Sequence, residues 1–320
     1  MRAAWYEENG GPDVLRVGQL PDPAVGPDTV LIRVEAISIE GGDLLNRQFS
    51  PPREVPFVPG YQAAGRVEAI GERVTRFAPG DRVVGFNWNG SHAELFAVLE
   101  HHAYAVPDGL DLDLAATVPV AFGTASDCLF EFGRVKPGET VLVQGAAGGV
   151  GLAAVQLAAQ AGATVIGTAS GAERLARIAP YGMHHGIDHR SEDIAARCRE
   201  TTGGKGADII LDMAGGQSVE ALIDAARPRA RYAVVGAAAG ALPSFGFFPL
   251  IRKSLTVFGI SFGRDMATPR AHRLIDSLLR RMAEGRLVMP IDRSFALSEV
   301  QAAHRHVAEA HPFGRVLMRP

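Results

Sequence analysis

The chain has 320 residues, with 32 Lys and Arg against 35 Asp and Glu, a formal net charge of −3 and two cysteines. Its length exceeds a typical single core, so two domains are expected, and the near-balanced charge gives no electrostatic case for a nucleic-acid or anionic-membrane partner. Cys128 and Cys198 stand alone in apolar or helical-looking stretches, which excludes a disulfide framework or a cysteine-rich metal site.

The opening MRAAWYEENGG lacks the basic start and apolar run of a signal peptide, and no stretch reaches the roughly 18 to 20 apolar residues that span a bilayer. The chain therefore reads as soluble and cytoplasmic, with small-molecule partners. Up to about residue 110, short β-rich runs (30–39, 65–71, 81–86) are broken by Pro and Gly, which predicts a compact, barrel-like antiparallel unit. From Leu114 the character changes. Apolar runs such as TVLVQGA, ATVIGTAS, ADIILDMAGG and RYAVVGAA alternate with amphipathic stretches such as GLAAVQLAAQAG and AERLARIAPYG. This is the pattern of βαβ units in a doubly wound parallel sheet. LTVFGISFG then reads as a further strand and His272 to Glu284 as a helix. The tail from Ile291 mixes strand, helix and strand and returns to complete the first domain.

The run Thr140 to Gln144 leads through GAAGGVG into a helical pattern. Gly145, Gly148 and Gly151 stand in the order G-x-x-G-x-x-G, with Ala147 where the familiar motif has its second glycine, and with Gly149 and Val150 completing the turn. A pyrophosphate needs a backbone that approaches within hydrogen-bond reach, and the helix that follows supplies free N–H groups and a positive dipole end. NAD-binding versions place a carboxylate at the end of the next strand, about 20 residues on. Here that strand ends in Ser170. Arg174, one helical turn later, can supply a cation, with His189 and Arg190 as supplementary candidates, so the residues favour NADPH.

These residues, with the segment 56–86, TTGGKGADIILDMAGG and the closing FGRVLM, resemble the zinc-free quinone oxidoreductase branch of the medium-chain dehydrogenase/reductase superfamily across essentially the whole chain. The resemblance implies an α/β chain with two parts. A GroES-like β-barrel catalytic domain would occupy 1–120, completed by 260–320, and a Rossmann domain with a doubly wound parallel sheet would occupy 121–259. It further implies an active-site cleft between them and a homodimer through edge strands near Leu255 to Gly263. Zinc-using relatives carry a Cys three residues before an Asp, and later a Gly-His-Glu. Here Glu40 precedes Asp43, the later triplet is Gly60-Tyr61-Gln62, and the four-cysteine lobe is missing, so no metal is expected.

The activity implied is hydride transfer from NADPH to a quinone or an α,β-unsaturated carbonyl. The alternatives are an enoyl reductase acting on thioesters or biosynthetic intermediates, and a catalytically weak NADPH-binding protein. By the same resemblance Thr124 lies beside the nicotinamide, Gly236 faces the ribose or nicotinamide, and Phe262 lies where backbone passes to the carboxamide. Glu40, Asp43, Tyr61 and His92 are the polar groups expected to line the substrate side. For Glu40 a catalytic and a structural hydrogen-bonding role stand even, with acid chemistry only if burial raises its pKa. Tyr61 reads equally as a packing residue, and His92 reads first as a surface or loop residue. Phe245 to Ile251 reads as apolar pocket lining or, slightly ahead, as part of the dimer edge. His304 and His306, two residues apart on a helix, do not share a face.

Overall fold

The computed structural model describes residues 1–237 and 246–320, so Phe245 of the aromatic segment lies outside the described residues. The chain divides into two compact units, Met1–Gly123 with Phe262–Pro320, and Thr124–Ser261.

The first unit opens with an antiparallel ribbon, β1 (Arg2–Trp5) and β2 (Arg16–Gln19). There follow β3 (Thr29–Ser38), α1 (Gly41–Phe49), β4 (Gln62–Ile70), β5 (Arg82–Phe86), β6 (Leu95–Leu99), β7 (Ala103–Ala105), α2 (Leu112–Ala115) and α3 (Val118–Ser126), whose residues from Thr124 onward belong to the second unit. Alternation in β3 sets its faces: Ile32, Val34 and Ala36 are buried while Arg33 and Glu35 are exposed, and Arg33 pairs with Glu68 of β4 at 2.6 Å. Gly65 is required in β4, because a Cβ there would sit 2.0 Å from the Arg33 carbonyl oxygen, beside the register shift between the two strands.

The second unit carries β8 (Thr140–Gln144), α4 (Gly149–Gln160), β9 (Thr164–Ala169), α5 (Ala172–Ile178), β10 (His185–Asp188), α6 (Ile194–Thr201), β11 (Ala207–Asp212), α7 (Val219–Ala225), β12 (Ala226–Val234), α8 (Phe247–Lys253) and β13 (Thr256–Gly259). Its six strands run parallel in the order β10-β9-β8-β11-β12-β13. The central strands are buried on both faces, as Val141–Val143 and Ile209–Leu211 show, which is why they read as continuous apolar runs. The strand expected over LTVFGISFG is the shorter β13.

One reading of periodicity is corrected here. The stretch that forms α4 is not amphipathic: Gly149 and Gly151–Ala158 are all buried, because small residues on every side let the helix sit deep.

The chain re-enters the first unit with α9 (Pro269–Ala283), β14 (Ile291–Ala296), α10 (Val300–Glu309) and β15 (Arg315–Arg319). α9 begins ahead of His272 because Thr268 caps it, accepting from the Ala271 N–H at 3.2 Å, and Pro269 fills the first turn. β15 joins β3 antiparallel and β14 parallel, completing a seven-stranded sheet in which β6 also pairs with β3. Among the described residues no helix is long and apolar enough to cross a membrane.

Candidate active site

In the second unit the Gly-rich turn leaves β8 with Gly145 at φ +72°, a conformation that favours glycine. Gly148 caps α4 in an extended conformation, and Gly151 lies where a Cβ would approach the Gly145 carbonyl oxygen to 2.2 Å and the Ala146 Cα to 2.8 Å. The helix start and the turn are therefore held in direct backbone contact. Ala147 and Gly149 are buried within this turn and Val150 is half-buried. The first N–H groups of a helix have no intrahelical acceptor, so this geometry suits a bound pyrophosphate.

Sequence reasoning missed what holds the turn in place. Thr168 of β9 accepts from the Gly145 N–H through its hydroxyl at 3.3 Å, donates that hydroxyl to Gln144 Oε1, and accepts from the Ala146 N–H through its carbonyl at 3.0 Å. Gln144 in turn donates to Ser218 Oγ at 3.2 Å. A Thr inside an apolar strand at the level of the turn was the available signal.

At the end of β9, Ser170 and Arg174 are half-buried, and His189 and Arg190 are exposed. Asp188, at the end of the neighbouring β10, was not singled out. It accepts from the N–H groups of Gly171 at 3.0 Å and Arg190 at 3.1 Å and from Ser191 Oγ at 2.9 Å, and the Gly171 bond leads the causes that hold its carboxyl below the usual range. Its oxygens are thus committed to the loop backbone and Ser191. Gly236, after β12, passes so close to Met213 that a Cβ would lie 2.8 Å from the Met213 carbonyl oxygen. Thr124 is half-buried inside α3, which continues as a π-helical turn at Asp127–Glu131, and is not a helix N-terminal residue.

In the first unit the Phe262 ring is buried, and Gly123 makes room for it: a Cβ there would lie 2.1 Å from the ring. Glu40 does not present a free acid. It caps α1 and accepts at Oε1 from Ser38 Oγ at 3.0 Å and Gln62 Nε2 at 2.7 Å, while the Arg315 guanidinium forms a buried ion pair with the same oxygen. The reading of Glu40 as a proton donor is corrected on this ground, since three donors converge on it and it is only 2 % exposed.

His92 is corrected as well. It lies in a loop but points inward and is fully buried, its Nε2 3.0 Å from His304 Nε2. The Arg47 guanidinium donates to His304 Nδ1 at 2.8 Å, which leaves the His304 proton on Nε2, facing His92. Burial draws the His92 pKa down to about 3 and holds that of His304 well below the ordinary value. His306 points elsewhere, 2.8 Å from Asp292 Oδ2.

Asp43 is buried beside Glu40, accepts the Glu40 N–H at 2.8 Å, and has its carboxyl raised well above the usual range by burial. Tyr61 is half-buried, takes a hydrogen bond from Asn46 Nδ2 at 2.8 Å, and packs against Phe86 and edge-on to Trp88. Burial raises its phenol, which keeps the proton. Among the described residues no group of three or more His, Cys, Asp or Glu is placed to hold a metal ion. A surface cavity of about 510 Å³ lined by Arg273, Asp276, Arg280 and Arg286 shares no residue with either of these clusters.

Residues 26–108 match the family model for the alcohol dehydrogenase GroES-like domain, and residues 149–277 that for zinc-binding dehydrogenase. The quinone oxidoreductase of Pseudomonas aeruginosa is 33% identical over 315 residues, covering 97% of each chain. The chain belongs to the quinone oxidoreductase branch of the medium-chain dehydrogenase/reductase superfamily. Within the superfamily it is also similar to a 2-haloacrylate reductase of a Burkholderia species, 31% identical over 99% of this chain and 98% of that one. Among solved structures it resembles the Escherichia coli quinone oxidoreductase complexed with NADPH, with a TM-score of 0.95, 27% identity and full coverage of both chains. Of Glu40, Tyr61 and Gln62, Glu40 is the single carboxylate, and it is committed to Arg315 and Gln62.

Proposed function

We propose that this protein is an NADPH-dependent reductase that adds hydride to a quinone or an α,β-unsaturated carbonyl without zinc. The observation that carries the reading is the Gly145-to-Gly151 turn, whose backbone contact and open helix start fit a dinucleotide pyrophosphate. Ser170 in place of a carboxylate, with Arg174 one helical turn on and the Asp188 oxygens committed to their own loop, supports NADPH over NADH. The NADPH-bound Escherichia coli structure agrees with that choice. NADPH supplies the hydride when bound.

The chain's own residues bind, orient and stabilise. The turn and α4 hold the pyrophosphate, Arg174 and His189 meet the 2′-phosphate, and Thr124 and Gly236 border the nicotinamide. Tyr61 keeps a neutral O–H for the oxygen on which charge develops. The ion pair of Glu40 and Arg315 holds the start of α1 in place of a metal. The 2-haloacrylate reductase among the relatives favours activated alkenes within this class.

The test is loss of reduced-nicotinamide absorbance with quinones, enones and enoyl thioesters. Turnover with quinones or enones and no loss on chelation is expected. Tight NADPH binding with no turnover would assign the chain to the binding proteins instead, and turnover of enoyl thioesters alone would narrow it to an enoyl reductase. Arg174→Ala should raise the NADPH dissociation constant about tenfold and leave that of NADH unchanged; equal effects on both would overturn the cofactor preference.

A further inference from the structure

Tyr61 is held more tightly than a packing residue requires. Gly42 of α1 faces it so closely that a Cβ would sit 2.4 Å from ring Cε2 and 2.7 Å from the hydroxyl. Trp88 stands edge-on to the ring at 6.0 Å between centroids, and Phe86 lies 6.1 Å away. One turn beyond Gly42, Asn46 Nδ2 donates to Tyr61 Oη at 2.8 Å. Among the described residues Tyr61 Oη accepts this one bond and donates none. A phenolic O–H lies near the ring plane and has two orientations. With the Asn46 amide filling one side, the hydrogen points to the other.

Resting on the reductase reading above, we propose that Asn46 is a positioning residue that fixes Tyr61 as a hydrogen-bond donor to the carbonyl oxygen of an enone or quinone. As hydride arrives at the β-carbon of an enone, the C=C pair shifts to the α-carbon to carbonyl-carbon bond and the carbonyl pair moves onto oxygen. Tyr61 donates its O–H to that enolate oxygen and keeps its proton. Solvent then protonates the α-carbon, and NADP⁺ is the oxidised product.

The test is a double-mutant cycle on the folded enzyme, with Asn46→Asp, Tyr61→Phe and the pair. The readouts are kcat with an enone and equilibrium binding of 4-nitrophenolate, an oxyanion probe whose absorption reports hydrogen bonding. Asn46→Asp is nearly isosteric but turns the Tyr61 hydrogen inward. It should weaken phenolate binding at least about tenfold and lower kcat to match, as should Tyr61→Phe, and the pair should be no worse than Tyr61→Phe alone. Wild-type phenolate binding in Asn46→Asp, or losses that multiply in the pair, would overturn the proposal. Non-additive phenolate binding in an enzyme that reduces no enone or quinone would sustain the Asn46 role and remove the reductase reading, whereas turnover that is indifferent to Asn46→Asp would do the reverse.

Discussion

At Gly151 the side chain is missing because the helix start and the preceding turn share one space: the nearest backbone oxygen is 2.2 Å from where a Cβ would be. Gly151→Ala should therefore cost about 1–3 kcal/mol in urea unfolding and weaken NADPH binding, since α4 must move off the turn. Glu40 invites a different expectation from the one its residue type suggests. Enclosed with Arg315, Ser38 and Gln62, it is a buried ion-pair partner, and removing the charge leaves a guanidinium buried without compensation. Glu40→Gln should lose about 3–5 kcal/mol of stability while the pH profile of kcat keeps its shape. A shifted profile with intact stability would return Glu40 to proton transfer. In both cases sequence pattern located the residue. For Gly151 it also supplied the reason, because the motif is a local backbone requirement, whereas two of the three partners of Glu40, Gln62 and Arg315, come from β4 and β15 and are invisible locally.

The same division holds for elements. The strands and helices of the parallel sheet are legible because their apolar runs and breaks follow local periodicity, yet α4 departs from the amphipathic expectation because its burial depends on neighbours on all sides. α1 and α10 show the tertiary part most plainly. Arg47 of α1 donates to His304 of α10, which faces His92 in the loop before β6, so three segments distant in sequence share one hydrogen-bond chain. The chain has room for no further proton: one added to His304 Nδ1 would face Arg47, and one added to His92 Nε2 would face the His304 N–H. The unfolded histidines titrate near 6.5, and burial holds both folded values lower, His92 at about 3. Between those values the unfolded chain binds protons that the folded chain excludes, so this contribution to stability is present at neutral pH and is lost as pH falls, by about 1.4 kcal/mol per pH unit for each histidine. Asp43, whose carboxyl is raised, acts in the opposite direction over part of the range. Urea midpoints at successive pH values should therefore fall more steeply toward pH 4 in the wild type than in a His92→Asn and His304→Asn double variant, in which Asp43 is retained. Parallel slopes would show that the pair does not titrate as described.

At the scale of the whole molecule, β13 ends the parallel sheet with Thr256 and Val257 exposed, and nearby in sequence α8 presents Phe247, Phe248 and Ile251 at 82 %, 84 % and 69 % exposure. Among the described residues β13 pairs with β12 alone, and a strand edge with apolar neighbours favours pairing with a second copy. Val257→Lys is expected to convert a dimer to a monomer in size-exclusion chromatography with light scattering; a wild-type monomer would remove the dimer proposal. By itself the amino-acid sequence determined the family, the two kinds of fold and the place of the Gly-rich turn, because each rests on residues adjacent in the chain: strand alternation, Gly at backbone contacts, and a helix start after a buried strand. Only the tertiary structure decided how the polar groups of the first unit are paired. Glu40 became an ion-pair partner, His92 a buried link and Tyr61 an oriented phenol, because a side chain's protonation and hydrogen bonds are set by whatever distant segments burial brings against it.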